Sequence, residues 1–132
     1  MKNVIRVLAL LVFVIFWGCS SDFSTTPNQN PVLEKFTGPT QCGKTEAAIF
    51  QAQGYDPDGK TVSFHFGYWL TTDTDPFPSY RDLGFTPYVA NGFGVTKSIV
   101  FYEAEDYTVC CHCIDEKNLE SAHIQWQIRV TD

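Results

Sequence analysis

His123-Ile124-Gln125-Trp126-Gln127-Ile128-Arg129-Val130 alternates polar and apolar side chains over eight residues. Successive side chains of an extended strand point to opposite faces. The alternation therefore puts Ile124, Trp126, Ile128 and Val130 on one face, with His123, Gln125, Gln127 and Arg129 on the other. The segment reads as a strand with one face in a core and one in water. Moving back along the chain, 107–114 is a second such strand. Tyr107, Val109, Cys111 and Cys113 share its inward face. A third covers 61–70, with Val62, Phe64, Phe66 and Tyr68 inward. Weaker runs at 32–36, 47–53 and 95–102 complete the set, with a short strand expected near Tyr88-Val89.

No stretch after residue 31 keeps a helical period over eleven or more residues. Turn chemistry separates the runs. In Tyr55-Asp56-Pro57-Asp58-Gly59, Pro presets φ, Asp bonds local backbone and Gly accepts φ > 0. About seven short strands in some hundred residues predict an all-β, antiparallel immunoglobulin-like β-sandwich. The expected core centres on Phe66, Tyr107 and Trp126. Residues 71–94 are rich in Pro, Gly, Asp and aromatics and read as an irregular excursion.

The N-terminus carries a different message. Lys2 and Arg6 precede an apolar run from Val7 to Trp17, then Gly18-Cys19 and a polar Ser20-Ser21-Asp22. Eleven apolar residues are too few to span a bilayer, and the layout is that of an export signal. It resembles the lipobox of bacterial lipoproteins, with Phe16 and Trp17 where that group has Leu and a small residue. The resemblance implies residues 1–18 as a signal peptide and Cys19 as the lipid attachment site. Lacking Asp after Cys19, the chain would be sorted to the outer membrane, on its periplasmic or surface side. Residues 19–31 then form a tether rich in Ser, Thr, Asn and Pro, and 32–132 the folded domain. Without its signal the chain has seven Lys+Arg against fifteen Asp+Glu, a net charge of −8. Nucleic acid is a poor partner for so acidic a chain.

The middle of the chain resembles bacterial PKD and cadherin-like modules. Ala52-Gln53-Gly54-Tyr55-Asp56-Pro57-Asp58-Gly59-Lys60-Thr61-Val62-Ser63-Phe64 is similar to their A-x-D-P-D-G-D-x-V-x-Y segment. Phe101-Tyr102-Glu103-Ala104-Glu105-Asp106-Tyr107-Thr108-Val109 is similar to their Y-x-x-x-G-x-Y-T-V, with Asp106 in place of Gly. The resemblance implies a PKD-like sandwich with 107–114 lying between 61–70 and 123–130. It also implies a binding, adhesive or scaffolding role without catalysis. The protein partner or cell-surface glycan stays open, because the fold does not name it.

Four sets of side chains are candidates for chemistry. His65, Cys110, His112 and His123 have outward parity on one exposed sheet face, and imidazole and thiolate ligate zinc or copper. Asn30, Asp56, Asp58 and Asp115 fall on loops at one end of the sandwich and offer hard oxygens to Ca²⁺. In the alternative reading, Asp56 and Asp58 build a turn and Asp115 caps a loop. Trp69, Phe77 and Tyr80 are rings for a glycan or protein ligand; the alternative is that they cover one edge of the sandwich. Cys42 lies before 47–53, at the end where 107–114 begins, so Cys110 or Cys111 is its expected disulfide partner. Motifs of serine hydrolases, P-loop enzymes and HExxH metalloproteases are missing, and no enzymatic activity is expected.

Overall fold

A computed structural model describes residues 27–132. The signal peptide, Cys19 and most of the expected tether lie outside the described residues. Nine strands are present among them: β1 (Val32–Thr37), β2 (Gln41–Gly43), β3 (Ala47–Tyr55), β4 (Thr61–Leu70), β5 (Arg81–Phe85), β6 (Val89–Ala90), β7 (Gly94–Val100), β8 (Asp106–Ile114) and β9 (Ile124–Thr131). They form two sheets. One is three-stranded, in the order β1-β3-β7. The other runs β2-β9-β8-β4-β5, with β6 paired to β4. This is the immunoglobulin-like sandwich that the alternation predicts. All pairings are antiparallel except that of β2 with β9.

The core lies between the sheets. Phe50, Phe64, Phe66, Phe101, Val62 and Val109 are fully enclosed there. Phe36 bridges Phe50 and Phe66, with ring centroids 5.8 and 6.1 Å away. Tyr107 stacks on Phe101 at 4.6 Å, and its hydroxyl reaches the Glu103 carbonyl at 3.5 Å, as a tyrosine corner would. Trp126 departs from expectation. Its inward parity holds, but on the side away from β8 only the three-residue β2 flanks β9, at 129–131, and the ring is half-covered at the margin. Its indole Nε1 donates to the Pro39 carbonyl at 2.9 Å.

Two strands escape the sequence reading. β2 has three residues and no pattern. β5 lies inside the excursion, where Gly84 at φ 72° hides its alternation. The consequence is large. β5 and the 86–88 link extend the sheet beside β4, and the rings of Phe77, Tyr80 and Phe85 lie over its outer face. β4 and β8 are therefore buried on both faces. Ser63 and Phe64 are tied to the link: Ser63 Oγ donates to the Thr86 carbonyl at 2.6 Å, and Thr86 Oγ1 accepts from Phe64 N at 3.0 Å.

The far end of the expected tether is packed against the domain. Asn28 Nδ2 donates to Asp115 at 2.5 Å, Gln29 N to Asp58 at 2.8 Å, and Asn30 Nδ2 to the Glu120 carbonyl at 2.7 Å. Pro31 is buried.

Candidate functional site

Cross-strand register builds the site. Phe85 of β5 pairs with His65 of β4, and His65 pairs with His112 of β8. Cys111 pairs with Ile124 on β9, so His123, one residue earlier, stands opposite His112. Four rings thus form one row across the outer face of the sheet. Centroids are 4.6 Å apart for Phe85–His65, 4.9 Å for His65–His112 and 4.1 Å for His112–His123. The last pair is nearly parallel, at 6°. The three histidines share a face, as their parity requires. That face is covered, not exposed: His65 and His112 retain 9% and 7% of their accessibility, and Cys110 retains 6%. Of the three histidines, only His123 remains open to solvent.

Each member has its own environment. His65 Nε2 meets Asp82 Oδ1 at 2.8 Å, while its Nδ1 is buried with no hydrogen-bond partner. The Asp82 carboxyl lies below the usual range because Gly84 N and then His65 bond to it. His112 Nδ1 is likewise buried without a partner. Burial, with His123 and His65 adding to it, lowers His112 to about 4, so the ring is neutral at pH 7. Cys110 belongs to the next row, opposite Gly67 and Gln125. Burial pushes the Cys110, Cys111 and Cys113 thiols up, away from the nucleophilic thiolate.

A fifth group joins the row. Nitrogens of His112 and His123 and a Glu120 carboxylate oxygen all lie within 4.8 Å of one another. Glu120 Oε2 is 3.7 Å from His123 Nε2. Sequence parity missed Glu120, because it sits in the turn between β8 and β9. Its spacing three residues before His123 was the available signal.

The expected disulfide does not form; Cys42, Cys110, Cys111 and Cys113 are all free thiols. Cys42 lies on β2 opposite Val130 of β9, so a whole strand separates it from β8. Cys110 is also five residues along from the level of Cys42, roughly 17 Å at a strand's rise.

The four oxygen donors considered for calcium hold loops together. Asp115 accepts from Lys117 N and Leu119 N at 2.8 Å each, besides Asn28. Burial works against its charge, but the bonds from Asn28, Leu119 and Lys117 prevail and keep it below the usual carboxylate range. Asp56 accepts from Asp58 N at 3.2 Å, and burial raises its carboxyl. Asn30 turns to the Glu120 carbonyl. Among the described residues, Asp56, Asp58 and Asp115 do not bring three ligand atoms together; His112, Glu120 and His123 do.

The aromatic excursion packs on itself. Trp69 is buried and stacks on Phe77 at 4.6 Å, with Tyr80 at 6.2 Å. Trp69 and Phe77 each turn one face to the other, and Tyr80 keeps 38% of its accessibility. Beside these rings, at the same end of the sandwich, the surface opens. Tyr68, Leu70, Phe101, Tyr102 and Tyr107 wall a groove of about 220 Å³, with Arg81 and Glu103 among its lining. Tyr102 is 75% exposed beside it.

No family model matches the sequence, and no curated protein matches it. Among solved structures, the chain is similar to the PKD domain of an M14-like peptidase from Thermoplasmatales archaeon SCGC AB-540-F20. Identity is 20% and the TM-score 0.64, over 80% of this chain and 100% of that one. It is also similar to part of a family 76 glycoside hydrolase from a bovine Bacteroides thetaiotaomicron strain. There the identity is 10% and the TM-score 0.51, over 76% of this chain and 20% of that one. At such identities the likeness speaks for the fold: an all-β, PKD-like immunoglobulin sandwich.

Proposed function

We propose that this chain is a binding or scaffolding module of a bacterial cell envelope, anchored by lipid on Cys19 and without catalytic activity of its own. Its place is the outer membrane. One observation carries the reading: the chain enters the sandwich at one end, and the aromatic groove opens at the other. Residues 28–30 are fastened to Asp115, Asp58 and Glu120. Tyr107 and Tyr102 lie at the far end of β8, roughly 24 Å away over seven residues of strand. A lipid at the N-terminus therefore turns the groove outward, toward a partner. An exposed tyrosine, here Tyr102, beside a partly apolar groove is a usual anchor of a protein contact. The Asp115 carboxylate is used in holding a loop, and the thiols of Cys110, Cys111 and Cys113 are buried.

Two measurements test the two halves. Metabolic labelling with an alkyne fatty acid tags the wild-type chain and leaves Cys19→Ala unlabelled; an unlabelled wild type contradicts the anchor. A photo-crosslinking amino acid at Tyr102 yields a discrete adduct in whole cells, and one at Gln51, on the other sheet, does not. Equal adducts at both positions, or none, contradict the outward groove.

A further inference from the structure

We propose that His112, His123 and Glu120 form a site for one divalent transition metal of the zinc class. The ligand set comes from the geometry. Two imidazole nitrogens and a carboxylate oxygen stand within 4.8 Å of one another. These are the donor types that zinc takes, at about 2.0–2.2 Å, and a tetrahedral ion needs its donors about 3.3 Å apart. The two rings stack at 6°, and an imidazole lone pair lies in its ring plane, so His123 must turn out of the stack to share the ion; its side chain and that of Glu120 are 51% and 61% exposed and free to adjust. A fourth position is left for water.

A second observation concerns the same residue. His112 is buried, and its Nδ1 has no hydrogen-bond partner. A buried imidazole nitrogen left bare is costly, and such groups call for a water or an ion. His65 repeats the feature one strand away.

The support is built in. His112 is fixed by β8, between β4 and β9. The turn carrying Glu120 is pinned by Asp115 and by the Ile114–Glu120 bridge. Ser121 locks it further: its N donates to the Cys113 carbonyl, and its Oγ accepts from Cys113 N, both at 2.9 Å. His123 follows two residues later, at the start of β9. Two ligands thus ride on one braced turn and face a third on a central strand, which is the preorganisation a metal site needs.

The test is calorimetric titration of the full 132-residue chain with zinc chloride, beside Glu120→Gln and His123→Ala. Both substitutions fall on exposed side chains, and circular dichroism verifies that the sheet signal is unchanged. The wild type is expected to bind one zinc per chain with a Kd of 10 μM or tighter. Each variant is expected to weaken binding at least tenfold, and X-ray absorption should count two imidazoles at the zinc. Three outcomes overturn the proposal: binding only in the millimolar range, affinity unchanged in both variants, or sulfur at the metal.

Discussion

Asp115 illustrates what a single residue decides. It is 1% exposed, yet its carboxylate stays charged because Asn28, Leu119 and Lys117 direct N–H groups at it. The folded state holds that proton less tightly than the unfolded chain does. Its contribution to stability is therefore complete above about pH 4 and is lost as pH falls through the lower folded value. Asp115→Asn should lower stability at pH 7 by about 1–3 kcal/mol. The gap from wild type should narrow at pH 3, as read from urea midpoints at both pH values. Phe66 and Trp126 form a second contrast. Phe66→Ala opens a cavity in the centre and should cost about 3–5 kcal/mol. Trp126→Ala, at a margin, should cost about 1–2 kcal/mol. Parity put both rings on the inward face, and that was legible in the sequence. How deep each sits was not, because depth depends on which strands flank β9.

At the scale of elements, β4 and β8 explain the covered histidines. A strand in the middle of a sandwich sheet alternates when one face meets water. Here the excursion adds β5 to the edge of the sheet and lays its aromatic rings over the outer face, so both strands are buried on both sides. Gly67 marks how close the roof lies: an added Cβ would sit 2.7 Å from Tyr80 Cε2. Gly67→Ala should displace Tyr80, cost about 1–3 kcal/mol, and uncover Cys110 in the neighbouring position of β8. Iodoacetamide followed by mass spectrometry should find Cys110 modified faster than in wild type, with Cys111 and Cys113 unreactive in both. The strands 61–70 and 107–114 were legible because their alternation is long. β5 was not, since a glycine with positive φ and a bulge at His65/Gly67 break the pattern. β2 was not legible either. A three-residue parallel strand has no periodicity to read, and its position on β9 is what separates Cys42 from Cys110.

For the molecule as a whole, the six-stranded sheet is the frame and the three-stranded sheet its lid. Residues 28–30 are fastened beside Asp58, Asp115 and Glu120, and Asp132 pairs with Lys44 at the opposite end of the sandwich. The sandwich and the shared face of the three histidines were readable from period-two alternation. Their order in one row, the roof above them and the entry of Glu120 were not, since register and turn geometry arise only when the strands pair. The most direct measurement is proton–proton NOE contact between the imidazole rings of the full chain. The account predicts His65–His112 and His112–His123 contacts and none between His65 and His123, with Phe85 touching His65. Three histidine rings without mutual contacts would contradict it.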